Sequence, residues 1–356
     1  MSRTGDCEDT SAPTRRRLLT QLAALGGGAL LASAGAPVAL LAQPARKLID
    51  VHHHVLPPTW LAENTSTPDV ARVFKGWSVP NALAEMDQAG VATAYASVPI
   101  PGHQFDDPTL ASKIARESNE YMAGLRAAHP GRFGMFALPP MPHVAESLAE
   151  IAYAYDTLKA DGIALFTSYG GKYVGNAAFD PIFAELNRRN AVAFVHPTAG
   201  PCCDAVQPWL STAQIEYGTD TTRAIAEYIF NGCTQRYPNV KVIWSHAGGT
   251  MPFLAQRFIN TGAESMKSRV PNGFLAEAQK CFYDTAQVPS KGAMQALRAI
   301  VPSSQILFGT DYPYRTFAWT EQMLTDDAVF NGREMAGVFR DNAVAMLAQA
   351  GKPAPA

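Results

Sequence analysis

Leu48-Ile49-Asp50-Val51-His52-His53-His54 starts as an apolar run, ends in three imidazoles and is broken off by Pro57-Pro58. An extended chain turns alternate side chains to the same side, so His52 and His54 face one way and His53 the other, where it packs or supports. The same theme, a short apolar run and then a turn and a longer helical stretch, recurs along the chain. Strands are predicted at 48–53, 91–98, 134–138, 162–166, 192–196, 242–246, 281–285 and 306–310. Helical spacing follows at 81–88, 110–128, 144–158, 181–190, 221–237, 252–261, 291–300 and 333–349, with Gly90, Asp180-Pro181 and Tyr237-Pro238 as stop and start signals. Val192-Ala193-Phe194-Val195 and Ile306-Leu307-Phe308 are continuously apolar, as strands covered on both faces by crossover helices must be. Eight such units predict an α/β fold, a single (β/α)8 TIM barrel over residues 46–350 with a tail at 351–356. An open doubly wound sheet would call for a glycine-rich phosphate loop, and no GxGxxG follows the first strand.

Composition agrees with one large buried core. Of 356 residues 47% are hydrophobic and 17% charged, too apolar for a disordered chain. With 29 basic residues against 31 acidic ones, the chain has no surplus of positive charge to displace counterions from a nucleic acid, which excludes that partner. Five cysteines (Cys7, Cys202, Cys203, Cys233 and Cys281) are too few and too irregular for a disulfide framework or a zinc ribbon, so a metal has to be held by histidine and carboxylate.

Residues 1–45 stand apart. Thr14-Arg15-Arg16-Arg17 is followed by a weakly hydrophobic stretch, 22–42, rich in alanine and glycine, with small residues at Ala32-Ser33-Ala34 and Ala42–Ala45 where a peptidase could cut. The pattern predicts a twin-arginine export signal, a periplasmic or secreted protein, and no lasting membrane association once the signal is removed. In such a compartment the adjacent Cys202 and Cys203 are expected to be free loop thiols, with a strained vicinal disulfide as the alternative.

The histidines decide the chemistry. His52 and His54 end the first strand, His196 the fifth and His246 the sixth, while Asp311 follows the run Ile306–Thr310 of the eighth. One histidine alone means little, but closure of a barrel brings these strand ends round a single mouth, where four imidazoles and a carboxylate converge. Open positions left over suit a divalent ion, Zn²⁺ or Mn²⁺, and the absence of thiolate ligands leaves the choice between them open, with Zn²⁺ the expected one. His103, His129 and His143 sit in loop or helix-end contexts and are expected to be exposed. Two long connections, 57–79 and 197–218, would lie over the same mouth as lids or pocket walls.

Four motifs, Asp50-Val51-His52-His53-His54, Phe194-Val195-His196-Pro197, Ser245-His246-Ala247-Gly248-Gly249 and Phe308-Gly309-Thr310-Asp311-Tyr312-Pro313, together resemble the amidohydrolase superfamily over residues 47–347. The similarity is to its amidohydrolase-related branch, which holds aminocarboxymuconate semialdehyde decarboxylase-like and γ-resorcylate decarboxylase proteins. His129-Pro130-Gly131-Arg132-Phe133 and Asp220-Thr221-Thr222-Arg223 look most like the 6-methylsalicylate decarboxylase type. The resemblance implies that His52, His54, His196 and Asp311 are the ligands and that His246 acts beside the metal as acid, base or polarising group. It also implies a single ion, because the fourth strand, Gly162–Phe166, lacks the lysine that bridges two metals in many relatives. Arg257, eleven residues after His246, would reach the substrate carboxylate of a neighbouring subunit, which implies a homodimer.

The expected reaction is non-oxidative decarboxylation of a hydroxylated aromatic or related unsaturated carboxylic acid, a carbon-carbon lyase activity in which Asp311 protonates the ring carbon. The alternative is hydrolysis of an ester, lactone or amide, with Asp311 and His246 handling the protons. Aromatic residues near the mouth suit a planar acid: Trp60, Phe74, Trp77, Trp209 and Tyr217 on the long connections, Tyr169 and Tyr173 after the fourth strand, Tyr312 and Tyr314 after the last. Trp77, Tyr169 and Tyr312 are the leading candidates for contact with the small-molecule substrate.

Overall fold

Eight parallel strands follow one another round a ring, each hydrogen-bonded to the next in sequence. They are β1 (Leu48–His54), β2 (Val91–Ser97), β3 (Phe133–Ala137), β4 (Gly162–Phe166), β5 (Val192–His196), β6 (Lys241–Trp244), β7 (Phe282–Asp284) and β8 (Ile306–Leu307). The ring closes where the Val51 N–H donates to the Phe308 carbonyl (3.0 Å) and the Asp311 N–H to that of His52 (2.8 Å). This (β/α)8 barrel is seen in a computed structural model that describes residues 47–64, 74, 76–99, 103–200, 209–261 and 267–355. The export signal expected at 1–45 and the Cys202-Cys203 pair lie outside the described residues.

Between strands run α1 (Val79–Ala89), α2 (Pro108–Ala128), α3 (Val144–Asp156), α4 (Asp180–Arg188), α5 (Thr212–Phe230), α6 (Met251–Thr261), α7 (Lys291–Arg298) and, closing the chain, α8 (Asn342–Gln349). Local signals place their ends. The Ser78 hydroxyl caps α1 by accepting from the Asn81 N–H, and Gly90 ends it in the left-handed region. The barrel interior is filled by Ile49, Val51, Tyr95, Phe136, Phe194, Ile243, Phe282 and Leu307. Met346 and Leu347 of α8 join that cluster and seal the end at which the strands begin. The tail continues the seal, with the Lys352 ammonium donating to the Ala160 carbonyl ahead of β4 (2.7 Å).

Several boundaries differ from the sequence reading. The helix expected at 221–237 starts nine residues earlier, at Thr212, and gives way to a separate turn at Cys233–Arg236, so Tyr217 lies on a helix rather than in a loop. The connection after β1 carries the helix Pro58–Asn64, and a helix at Phe317–Asp326 follows β8; the periodicity flagged neither. Both are short, and each spends its apolar face (Trp60; Phe317 and Leu324) on an existing core instead of forming its own stripe. His129 and His143 are half-buried rather than exposed, and the His143 Nε2 meets the Phe105 carbonyl at 2.9 Å.

β1 contains the irregularity on which the site depends. Its register with β2 slips between Asp50 and His53. Val51 belongs to the barrel interior, yet the next residue, His52, also points inwards, with its ring 4.9 Å from that of Phe194. A bulge of this kind re-aims a side chain, and here it converts a core-facing strand into one that ends in inward imidazoles.

Candidate metal centre

His52, His54, His196 and Asp311 each bring one ligand atom into a cluster in which all four atoms lie within 4.8 Å of one another. All four residues are buried. The far side of each imidazole is held. His52 Nδ1 meets the Asp284 carboxylate at 2.7 Å, His196 Nδ1 the Pro197 carbonyl at 2.9 Å, and His54 Nδ1 the Ser97 hydroxyl at 3.2 Å. A carbonyl and a carboxylate only accept, so His52 and His196 keep their protons on Nδ1 and turn the Nε2 lone pair inwards. There His52 Nε2 lies 3.2 Å from His54 Nε2 and from Asp311 Oδ1, His54 Nε2 is 2.9 Å from that oxygen, and His196 Nε2 has no hydrogen-bond partner. Electron pairs this close, shut away from water, need a positive charge among them. Three imidazole nitrogens and one carboxylate oxygen are the donor set of a divalent transition-metal site.

The electrostatics point the same way. Burial opposes a charge on His52, but the Asp284 and Asp311 carboxylates outweigh it and raise its pKa to about 10. Burial lowers His54 and takes His196 well below the ordinary histidine value, so both are neutral. Asp311 is also opposed by burial, yet His52 and hydrogen bonds from its neighbours hold it well below the usual carboxylate range. Without a metal the cluster therefore keeps one proton, on His52, and proton and ion compete for one place. Because the raised value means that His52 is protonated at every pH below about 10, metal uptake at pH 8 is expected to release about one proton per ion and to tighten as pH rises. Calorimetry in buffers of different ionisation enthalpy measures this, and uptake with no proton released would contradict it.

Two buried carboxylates build the frame. Asp284, the last residue of β7, accepts from His52 Nδ1 on one oxygen and from the backbone N–H of His246 (2.8 Å) and of Ala286 (3.0 Å) on the other. Asp50 accepts from the His52 N–H (3.0 Å), the Thr310 N–H (3.1 Å) and the Thr310 hydroxyl (2.6 Å), which staples β1 to the segment bearing Asp311. Gly309 is required between them: a Cβ there would come within 2.8 Å of the Asp284 Cβ and 3.0 Å of the His52 Cβ. A third carboxylate steadies His196. Asp220 on α5 accepts from the hydroxyls of Thr167, Thr198 and Tyr173, while the Thr167 N–H donates to the His196 carbonyl. None of these supports was singled out as part of the site from sequence, although Asp284 obeys the rule that found the ligands, an acid at the end of a buried strand.

A profile of the amidohydrolase family matches residues 49–348. The chain belongs to that family. It is 38% identical over 281 residues to a 6-methylsalicylic acid decarboxylase of Penicillium expansum, covering 74% of this chain and 84% of that protein. To a decarboxylase of the same name from Aspergillus aculeatus it is 36% identical over 285 residues, covering 74% and 84%. Among solved structures, a dihydroxybenzoic acid decarboxylase of a Polaromonas species, with bound manganese and 2-nitroresorcinol, superposes with a TM-score of 0.77 at 18% identity, covering 85% of this chain and 97% of that one.

Within this amidohydrolase barrel the remaining expected residues divide. His246 sits at the mouth in a left-handed backbone conformation (φ 53°), stacked on the His52 ring, with its Nε2 3.3 Å from Asp311 Oδ2. The Tyr314 ring stands 6.0 Å from that of His54, and the Tyr217 ring 6.1 Å from that of His196. The three leading candidates for substrate contact lie differently. The Tyr169 hydroxyl meets the Phe166 N–H at 2.7 Å, and its ring packs on Phe166 and Phe179. Tyr312 packs in a cluster of near-parallel rings with His53 and Phe317, and its hydroxyl donates to Glu85 (3.2 Å), on the outer side of the strand as His53 is. Trp77 is half-buried against the apolar core, with its indole N–H unpaired. Trp60 is fully buried and Trp209 is 80% exposed. Arg257 is on the exposed side of α6, one turn after Phe253, which is 87% exposed.

Proposed function

We propose that this protein is a metal-dependent, non-oxidative decarboxylase of an aromatic acid carrying a hydroxyl next to its carboxylate, with 6-methylsalicylate the first substrate to test. The observation that carries the reading is the division of labour within Asp311. Its Oδ1 belongs to the ligand cluster, while Oδ2 faces the other way, towards His246 Nε2 at 3.3 Å and Gln287 Nε2 at 2.7 Å. One residue thus joins the metal to an oxygen that can carry a proton. A divalent ion bound here polarises carboxylate and phenol oxygens. Asp311 Oδ2 takes the phenolic proton as the acid docks and passes it to the ring carbon bearing the carboxylate. The bond to the carboxylate then breaks, its electron pair restores the aromatic ring, and CO₂ leaves. His246 donates a hydrogen bond to the charged oxygen of the substrate, and Tyr217 and Tyr314 flank the planar ring.

The full-length chain, loaded with Mn²⁺ or with Zn²⁺, is expected to release CO₂ from 2-hydroxybenzoates. Acid release from a panel of lactones and esters, with no CO₂ from any hydroxybenzoate, would replace this reading by hydrolysis. Zn²⁺ is favoured by the three imidazoles, and the manganese of the Polaromonas structure puts Mn²⁺ beside it. The proposal includes a homodimer, supported by the exposed Phe253 one turn from Arg257, and sedimentation of the active protein as a monomer would remove it. It also includes export, supported by Arg15-Arg16-Arg17 and the apolar stretch behind them; activity confined to the cytoplasmic fraction would refute that part.

A further inference from the structure

Gln287 holds its place against its own backbone. It lies three residues beyond the end of β7 at φ 61°, in the left-handed region, and the Val288 N–H closes onto the Ala286 carbonyl at 2.7 Å. An i to i+2 hydrogen bond round a residue of positive φ is a γ-turn of the rare, strained kind, and glycine relieves that strain. What glycine would not supply is the side chain. The Gln287 amide nitrogen reaches Asp311 Oδ2 at 2.7 Å, and since an ionised carboxylate only accepts, the amide must be the donor. The turn is anchored from beneath by the Ala286 N–H on Asp284 (3.0 Å), the same carboxylate that orients His52 and His246. Strain maintained by its surroundings and aimed at a reactive group is a sign of function.

We propose that Gln287 is a positioning residue that keeps the Asp311 carboxylate divided between its two tasks. A carboxylate beside a cation is free to turn about its terminal torsion and present both oxygens to the ion. His246 meets Oδ2 at 3.3 Å, whereas the Gln287 amide meets it at 2.7 Å and holds it away from the ligand cluster, as the oxygen that carries the proton. The inference rests on the decarboxylase reading for its kinetic consequence but not for its geometric one.

The test is Gln287→Gly in the full-length chain, which removes the amide and the strain together. A merely structural glutamine would leave a chain whose activity follows its stability. The positioning role predicts that they part: the midpoint of thermal unfolding of the metal-free chain is unchanged or higher, while kcat on 6-methylsalicylate, or on whichever hydroxybenzoate the wild type turns over, falls at least tenfold with KM within threefold. Gln287→Glu, of the same shape but with a carboxylate facing Asp311, should also lose kcat at least tenfold. Crystal structures of the Mn²⁺-loaded wild type and Gln287→Gly proteins read the same inference without turnover. They should show Asp311 with one oxygen on the metal in the first and both in the second. A wild type inactive on every hydroxybenzoate counts against the decarboxylase reading alone, and the structures still decide this one. A Gln287→Gly protein with kcat within threefold of wild type, or with the carboxylate unmoved, overturns the proposal.

Discussion

Asp284→Asn is expected to leave the barrel folded and to weaken its hold on the metal by at least 10- to 100-fold. The amide oxygen of asparagine can still accept from the backbone N–H groups of His246 and Ala286, so the packing of a completely buried position survives. The amide nitrogen, however, replaces the oxygen that receives His52 Nδ1–H, and two donors then face each other at 2.7 Å. The imidazole relieves the clash by moving its proton to Nε2, the atom that must offer a lone pair to the ion. A change of one atom, outside the ligand cluster, therefore disables a ligand. Titration with Mn²⁺ followed by electron paramagnetic resonance measures the loss, and circular dichroism of the metal-free variant checks the fold. Asp284→Ala separates the two effects from the other side. It leaves three buried donors without an acceptor and is expected to cost roughly 3–5 kcal/mol of stability. Wild-type metal affinity in the asparagine variant would show that the carboxylate does not set the tautomer.

The barrel was legible because its information is local and repeated. Each strand announces itself by a short apolar run, and the rule that active sites gather where strands end picks out His52, His54, His196, His246 and Asp311. All five meet at one mouth, with four of them forming the cluster. What could not be read depends on dihedral angles that composition does not encode. Asp311, His246 and Gln287 all have positive φ without being glycine, so the direction of each side chain follows from a turn that alternation does not describe. Tyr312 is different, since alternation alone sets it on the side opposite Asp311, and its ring does stack on His53, away from the ligands. Tyr169 fails for a different reason, since an aromatic residue just past a strand end is equally suited to line a pocket or to anchor a loop, and the Phe166 N–H it receives commits it to the second. Asp50 and Asp220 stand in the motifs that carry the resemblance, and Asp284 in the seventh strand, but their supporting roles are not legible there, because a single acid gains meaning only from partners far along the chain, as Thr310 is from Asp50.

Asp311→Asn is the most damaging single change the site admits. In the proposed reaction the residue contributes a ligand atom through Oδ1 and a proton-carrying oxygen through Oδ2, and asparagine impairs both. As a neutral ligand its oxygen weakens the field that draws the ion, and an amide in place of the second oxygen neither takes up nor returns a proton at neutral pH. Loss of acid-base catalysis alone is worth about 10²–10⁴ in rate. With the ligand weakened as well, kcat/KM is expected to fall by at least ~10³. The two contributions are separable. Saturating Mn²⁺ restores whatever part of the loss came from metal occupancy, and the remainder measures the proton transfer. His246→Asn is the comparison that shows which oxygen matters. It removes the imidazole 3.3 Å from Oδ2 but leaves every atom of the ligand cluster in place, so it should keep wild-type metal affinity while losing rate. If metal-saturated Asp311→Asn turned over its acid at the wild-type rate, the proton would have to come from another group, and Asp311 would be reduced to a ligand alone.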